Sequence, residues 1–283
     1  MKWSSGTAAP TLKAPPNATD CHHHIYDGRY PAAPNAVLHP PDAFVSDYQA
    51  LQQRIGTSRS VLIQPSTYGT DNRCGLDALK ALGPQARMVA VVDTTVSDDE
   101  LKRLDLAGVR GIRFNLAQAG ATTPEMIAPL ADRVAPMGWH LQINAPAARI
   151  LEIMPILENV PAQVVFDHLA HIPEPDGTSH PLYARVRKML EAGRAWVKLS
   201  GAYLDTKVGP PTYADSTALA QAFILSAPDR LVWGSDWPHP TEAADKKPDD
   251  ARLFDLLAEW ATHESTRQRI LVDNPAILYG FKQ

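Results

Sequence analysis

The chain has 283 residues, 45% of them hydrophobic, and a formal net charge of −4 at pH 7. This length suits one α/β barrel of about 250 residues. The slightly acidic balance argues against nucleic acid or an anionic membrane as a partner. Only 2 cysteines are present, so we expect a reduced, cytoplasmic protein without a disulfide framework. The sequence has no run of about 18 apolar residues, the length that crosses a membrane.

The N-terminal segment differs in composition from the rest of the chain. It is rich in Pro, Ala and Ser and lacks the apolar core of a secretory signal peptide. We expect residues 1–18 to form an extended lead-in and residues 19–283 to form a single barrel domain.

Eight short, mostly continuous apolar segments recur along the chain, as is typical of parallel strands covered on both faces. Strands are predicted at Thr19–Ile25, Ser60–Pro65, Met88–Asp93, Val109–Asn115, His140–Ala145, Gln163–His168, Ala195–Ser200 and Arg230–Asp236. Their mean spacing of about 30 residues is that of one βα unit. The pattern predicts a (β/α)8 TIM barrel.

Amphipathic segments separate these strands. Helices are predicted at Asp42–Ile55, Gly75–Leu82, Ser97–Leu106, Thr123–Ala135, Ala148–Leu157, Pro181–Ala192, Asp215–Ala227, Asp249–Ala261 and Glu264–Leu271. Two stretches rich in Pro or Gly, Asn35–Pro41 and Asp205–Pro211, are candidate walls or lids of a site.

A pair of histidines stands in the first predicted strand. Residues i and i+2 of a strand point to the same face, so His22 and His24 can converge on one metal ion or one polarised oxygen, while His23 points away. Asp236 ends the last predicted strand, and in this fold catalytic groups come from the C-terminal ends of several strands. A lone histidine is more often a core residue, but two adjacent buried imidazoles need partners. We therefore expect these residues to be functional.

Other polar side chains are expected to face inward near the strand ends, where barrel layers are usually apolar. They are Gln64 or Ser66, Asp93, Arg113, Asn115, Gln142, Asn144, His168, Lys198 and Ser200. Arg113 is expected to bind a substrate anion, with a structural ion pair as the alternative. Lys198 either pairs with a carboxylate or takes part in the site. Tyr203 and His239 follow the last two strands and are weaker candidates.

The His22-X-His24 start, His168 and the segment Gly234–His239 resemble the amidohydrolase superfamily, and more narrowly its amidohydrolase-2 branch. Further matching segments are Gln64–Ser66, Gly108–Asn115, Val197–Gly201 and Asp273–Phe281. Together they are similar to the subgroup of 2-pyrone-4,6-dicarboxylate lactonase and galactarolactone isomerase, over nearly the whole chain from Asp20 to Phe281.

This resemblance implies a hydrolase that opens a lactone. Asp236 would act as general base on a water molecule. The carbonyl oxygen would be polarised by His22, His24 and His168. Substrate contacts are expected from Arg113, Ser66, Gln142, Tyr203 and His239.

The resemblance also bears on metal binding. Metal-dependent members of the superfamily use a further His or Lys on the fourth or fifth strand, where this chain has Arg113, Gln142 and Asn144. We therefore expect no cofactor. If Zn²⁺ or Mn²⁺ is bound, its expected ligands are His22, His24 and Asp236.

The expected substrate is a small anion. Enzymes for pyrone dicarboxylates are expected to use several arginines, but residues 115–119 and 202–204 contain none. A sugar-acid lactone or another mono-anionic lactone is therefore favoured, in the catabolism of carbohydrate acids or aromatic compounds. Two alternatives are a lactone isomerase with the same site and a metal-dependent decarboxylase with His168 as the acid. A non-catalytic binding protein is disfavoured because all four proposed catalytic side chains are present, namely His22, His24, His168 and Asp236.

Overall fold

In a computed structural model of the chain, residues 2–117 and 120–282 are described. Eight parallel strands alternate with helices, and each strand pairs with the next along the chain. The strands are β1 (Thr19–His23), β2 (Arg59–Ile63), β3 (Ala86–Ala90), β4 (Val109–Asn115), β5 (His140–Asn144), β6 (Val164–Phe166), β7 (Ala195–Leu199) and β8 (Leu231–Trp233). The predicted (β/α)8 TIM barrel is confirmed.

The helices lie outside the strands. They are α1 (Val45–Ile55), α2 (Arg73–Leu82), α3 (Asp98–Ala107), α4 (Ile127–Val134), α5 (Ala147–Leu157), α6 (Pro181–Glu191), α7 (Ala214–Ser226), α8 (Asp250–Trp260), α9 (Glu264–Gln268) and α10 (Asn274–Tyr279). Each predicted helix is present with shifted ends, whereas α10 was not predicted. Six residues are too short for a helical period to show, and a π-helical turn, Arg269–Asp273, joins α10 to α9.

Seven of the eight strands end one to three residues earlier than their apolar patterns predict, and in β6 and β8 this leaves a candidate site residue outside the sheet. β6 was expected to continue to His168 and β8 to Asp236, but the regular ladder ends at Phe166 and Trp233. Residues 168–171 and Asp236 have positive φ angles between 47° and 63°. This left-handed backbone is rare for residues with a Cβ and turns the chain out of the sheet. His168 and Asp236 therefore lie on the loops just beyond their strands.

The barrel closes through backbone bonds between β1 and the loop after β8. The amide of Asp236 donates to the carbonyl oxygen of His22, and the amide of His24 donates to that of Trp237, each at 2.8 Å. These bonds place Asp236 directly beside the two histidines of the first strand.

The buried carboxylate of Asp20 secures the same seam. It accepts hydrogen bonds from the amide of Ser235 (2.9 Å), the hydroxyl of Ser235 (2.6 Å) and the hydroxyl of Tyr48 (3.0 Å). Gly234 is required for the close approach of the two segments, because a Cβ there would lie 2.6 Å from the Cβ of His22. Burial raises the pKa of Asp20 to about 6, despite these bonds.

The barrel interior below the site is filled mainly by apolar side chains. They are Cys21, Val61, Ile63, Val89, Val165, Trp196 and Val232, with Tyr279 and Phe281 packing among them. A larger cluster fills the space between the strands and the helices. Among residues 2–117 and 120–282, no helix is both long and apolar enough to cross a membrane.

Residues 2–18 run along the outside of the barrel. Trp3 is buried, and the amide of Ser5 donates to the carbonyl oxygen of Pro248 at 3.0 Å. Further along, the amide of Leu12 donates to Asp255 on α8 at 2.7 Å. The segment is therefore attached to the barrel at more than one point.

Candidate active site

A cavity of about 300 Å³ opens at the C-terminal ends of the strands. Its polar lining includes His24, Ser66, Arg113, Asn115, Asn144, His168, His171, Asp205, Asp236 and Thr241. Val37 and Leu38 line it from the loop after β1, and Leu204 and Asp205 from the loop after β7. Both loop stretches predicted as candidate walls thus contribute to the cavity.

One oxygen of Asp236 is surrounded by three imidazole nitrogens. Its Oδ1 lies 3.5 Å from Nε2 of His22, 3.6 Å from Nε2 of His24 and 3.8 Å from Nε2 of His168. None of these four residues is more than 5% exposed. The structure thus brings together the four residues proposed from sequence as the catalytic group.

The other nitrogen of each ring has its own contact. Nδ1 of His24 donates to the carbonyl oxygen of Ile63 at 2.8 Å, so Nε2 of a neutral His24 ring carries a lone pair. Nδ1 of His168 lies 3.0 Å from Oγ of Ser200. A serine hydroxyl can donate, which allows Nε2 of His168 to carry a proton towards the cavity.

Nδ1 of His22 lies between two oppositely charged groups. It is 3.3 Å from Oδ1 of Asp167 and 3.3 Å from Nζ of Lys198. Lys198 is fully buried, lies 3.4 Å from the same Asp167 oxygen, and donates to Oε1 of Gln142 at 2.8 Å. The alternative that Lys198 pairs with a carboxylate is therefore observed, and that pair contacts a ring of the central cluster.

Asp167 is the residue that sequence reasoning missed. Its Oδ2 accepts from Nε and Nη2 of Arg113, each at 3.3 Å, and from Nε2 of Gln142 at 3.0 Å. Burial opposes its ionisation, but Lys198, His22 and Arg113 hold the pKa of Asp167 well below its usual range. The available signal was a carboxylate directly after the apolar run of β6.

The predicted substrate-binding residues divide between the cavity and the layer beneath it. Arg113 and Ser66 line the cavity, although Arg113 also makes the ion pair with Asp167. Gln142 is fully buried below the floor. Gln64 is also buried and donates to the carbonyl oxygen of Asp71 at 2.8 Å, while Asp93 accepts from the backbone amide of Thr95. The sequence has no second arginine in residues 115–119, and two residues of that stretch, 118 and 119, lie outside the described residues.

Tyr203 contacts Asp236, and His239 contacts Tyr203. Neither of the two residues is part of the lining of the open cavity. The hydroxyl of Tyr203 donates to Oδ2 of Asp236 at 2.6 Å. Nδ1 of His239 lies 3.1 Å from that hydroxyl, and its Nε2 lies 3.1 Å from Oδ1 of Asp250. His239 and Asp250 are fully buried. The chain of contacts fixes one oxygen of Asp236 and leaves the other among the histidines.

Burial sets the ionisation of the cluster. It lowers the pKa of His168 to about 4 and, with the charge of Lys198, that of His22 well below its usual range. Burial also lowers the pKa of Lys198 to about 8, against the attraction of Asp167. For Asp236, burial raises the pKa, but the nearby imidazoles of His168, His24 and His22 outweigh it and the pKa lies well below its usual range. At neutral pH the site holds an ionised Asp236 beside the neutral rings of His22 and His168.

The cluster also fits a divalent metal ion. Nε2 of His22 and Nε2 of His24 lie 3.3 Å apart, and Oδ1 of Asp236 is 3.5 and 3.6 Å from them. Tetrahedral ligands about 2.0–2.1 Å from Zn²⁺ are about 3.3–3.4 Å apart, so only a small contraction is needed. Metal-binding histidines commonly hydrogen-bond a carboxylate or carbonyl through the other nitrogen. Here Nδ1 of His24 donates to the carbonyl oxygen of Ile63, and Nδ1 of His22 lies 3.3 Å from Oδ1 of Asp167.

A buried polar cluster at the C-terminal end of a parallel barrel is the arrangement of TIM-barrel enzymes. A sequence model of the family Amidohydro_2, described as amidohydrolase, matches residues 19–281. The chain therefore belongs to this amidohydrolase family.

Individual relatives agree with this membership. A 2-pyrone-4,6-dicarboxylate hydrolase of Comamonas testosteroni is 34% identical over 99% of this chain and 95% of its own length. A D-galactarolactone isomerase of Agrobacterium fabrum is 32% identical over 97% of this chain and 94% of its own. A crystal structure of an apo protein from Agrobacterium tumefaciens superposes with a TM-score of 0.92 at 30% identity, covering 100% and 99% of the two chains.

Proposed function

We propose that this protein is a lactonase that hydrolyses the ester ring of a small, mono-anionic lactone such as a sugar-acid lactone. The observation that carries the proposal is the position of Asp236. Its Oδ1 lies among Nε2 atoms of His22, His24 and His168 on the floor of a cavity that Arg113 also lines. The named activities of the two similar proteins, on a pyrone dicarboxylate and on galactarolactone, support a lactone as the substrate class.

Asp236 acts as the general base in this mechanism. Its ionised carboxylate takes a proton from water while the water oxygen attacks the lactone carbonyl carbon. The tetrahedral intermediate then collapses, the ring C–O bond breaks, and protonated Asp236 returns the proton to the leaving alkoxide. The products are a hydroxyl and a carboxylic acid, which ionises at neutral pH.

Two of the three histidines, His22 and His168, stabilise the oxyanion. Nε2 of His168 can donate when Ser200 donates to its Nδ1, and Nε2 of His22 can donate when Lys198 donates to its Nδ1. Nε2 of a neutral His24 is an acceptor because its Nδ1 donates to Ile63. Such preorganised donors contribute several kcal/mol each when buried, about 3 kcal/mol in measured cases. His24 therefore serves to orient a proton of water or of His22.

The charge of the site favours one carboxylate on the substrate. Arg113 and Lys198 supply two positive charges, and Asp167 and Asp236 offset both. A mono-anion therefore adds one negative charge beside Arg113, whereas a dianion would need a further cation. A divalent ion held by His22, His24 and Asp236 would polarise a carbonyl and lower the pKa of bound water.

Lactone isomerisation is a second candidate because the D-galactarolactone isomerase is 32% identical over nearly the whole chain. A substrate hydroxyl would replace water as the nucleophile, and Asp236 would deprotonate it. Hydrolysis releases acid and isomerisation does not, so titration of released protons with product analysis by NMR separates them.

The test is turnover of a panel of sugar-acid and pyrone lactones by wild type and Asp236→Asn. We expect Asp236→Asn to lose roughly 100-fold to 10,000-fold in kcat, the range for a general base. Asp93→Asn is the matched control, since Asp93 also follows a barrel strand but bonds Thr95. Full activity of Asp236→Asn, or no lactone turned over by wild type, would contradict the proposal.

A further inference from the structure

A chain of four polar side chains lines part of the cavity wall. It links Asn115 at the end of β4, Asn144 at the end of β5, His171 after β6 and Asp205 after β7. The successive atom pairs are 3.0, 2.9 and 2.9 Å apart, and all four residues line the cavity. The proposed mechanism assigns none of them a task.

The backbone fixes how the two amides are oriented. Oδ1 of Asn115 accepts from the amide of Ala117 at 3.3 Å and from Nδ2 of Asn144 at 3.0 Å. Since Asn144 uses its nitrogen there, its Oδ1 faces Nε2 of His171 at 2.9 Å. Nδ1 of His171 faces the carboxylate of Asp205 at 2.9 Å. Both amide oxygens are thus occupied within the chain of contacts.

The remaining donors face the substrate space. Within the described part of the chain, Nδ2 of Asn115 has no hydrogen-bond acceptor, and Nδ2 of Asn144 uses only one of its two hydrogens. The register pairs Asn115 with Asn144 and Arg113 with Gln142 two residues below. Residues i and i+2 share a face of a strand, so the two amides form a layer directly above Arg113.

We propose that Asn115 and Asn144 form a subsite for a hydroxyl oxygen of the lactone, next to the carboxylate held by Arg113. This inference rests on the proposed function and specifies the substrate as a hydroxylated lactone. Neutral N–H groups suit a hydroxyl oxygen, and the carboxylate of Asp205 in the same wall disfavours a second anion. His171 and Asp205 are positioning residues that keep the amide nitrogens turned towards the cavity.

The test compares two lactones that differ in their hydroxyls. D-galactarolactone carries hydroxyls and one carboxylate. The comparison compound, γ-butyrolactone with a carboxylate on its γ carbon, has the lactone ring and the carboxylate but no hydroxyl. We expect Asn115→Leu and Asn144→Leu to lower kcat/KM for the hydroxylated lactone by roughly 10-fold to 100-fold, mainly through KM, as for a lost hydrogen bond. The hydroxyl-free lactone should change by less than about 3-fold.

Controls separate binding from folding. Asn159→Leu replaces an exposed asparagine whose amide bonds only the carbonyl oxygen of Pro155 among the described residues, and it should leave both lactones unaffected. Asn115 is half-buried, so Asn115→Leu tests the subsite even if Asn144→Leu is unstable. Asp205→Asn should reduce the preference for the hydroxylated lactone.

Equal losses on both lactones, or an unchanged preference in Asn115→Leu and Asn144→Leu, would overturn the subsite while leaving lactone hydrolysis in place. If wild type opens neither lactone, the proposed function fails instead. Calorimetric binding of D-galactarolactone, which then stays intact, decides the subsite by itself. Weaker binding to Asn115→Leu than to Asn159→Leu supports the subsite, and equal binding refutes it.

Discussion

Replacing Tyr203 by Phe removes one hydrogen bond from the central carboxylate and leaves the histidines in place. The lost bond runs from the tyrosine hydroxyl to Oδ2 of Asp236 at 2.6 Å. Hydrogen bonds to charged groups contribute about 1.5–3 kcal/mol. If the bond is needed to hold Asp236 in its reactive position, each 1.4 kcal/mol costs about tenfold in rate. We therefore expect kcat/KM to fall roughly 10-fold to 100-fold.

The direction of the pH effect follows from the same bond. A hydrogen bond donated to a carboxylate favours its charged form and lowers its pKa, so Tyr203→Phe should raise the pKa of Asp236. Burial and the charge of Asp236 raise the pKa of Tyr203 well above its usual range, so the tyrosine remains a donor at neutral pH. The acid limb of the rate profile should therefore move to higher pH in the variant.

The assay is lactone hydrolysis followed by proton release across the acid and neutral range. Tyr183→Phe is the matched control, because its hydroxyl lies 3.4 Å from Oγ of Ser226, far from the cavity. A Tyr203→Phe variant with wild-type kcat/KM and an unmoved acid limb would refute the assigned role of Tyr203.

Three further outcomes follow from buried groups around the site. Because the pKa of Lys198 is about 8, its positive charge is lost above that pH. Wild-type activity should therefore fall above this pH, and the pH–rate profile of Lys198→Met should lack this alkaline limb. Asp167→Asn removes the carboxylate facing Arg113 and Lys198, and urea unfolding should show that the free energy of unfolding falls by about 3–5 kcal/mol. A fall of less than about 1 kcal/mol would argue against the pairing. Gly111→Ala places a Cβ 2.5 Å from Nε2 of His140, and a stability loss of about 1–3 kcal/mol is expected from overpacking; an unchanged melting temperature would contradict it.

The positions of the strands could be predicted because each is a continuous apolar run. Period-two logic also placed His22 and His24 on one face, and the structure confirms this with His23 stacked on Tyr48 at 3.6 Å between ring centroids. The strand ends could not be predicted at His168 and Asp236, where left-handed backbone interrupts an otherwise strand-like pattern.

Contacts between distant segments account for most of the remaining differences. Asp167 gains its importance from Arg113 and Lys198, which lie 54 and 31 positions away along the chain and meet it only in the closed barrel. Tyr203 likewise reaches Asp236 from a loop whose conformation no local pattern specifies. Sequence periodicity predicts which side chains lie on the same face of a strand, whereas these pairings between distant segments depend on tertiary packing.

The measurement that tests the central claim most directly is lactone hydrolysis by wild type and Asp236→Asn after exhaustive chelation, with metal content determined on the same samples. The account predicts that wild type without stoichiometric metal still opens lactones and that Asp236→Asn does not. Tightly bound Zn²⁺ or Mn²⁺ whose removal abolishes activity would contradict Asp236 as the sole activator of water. It would assign His22, His24 and Asp236 to the metal.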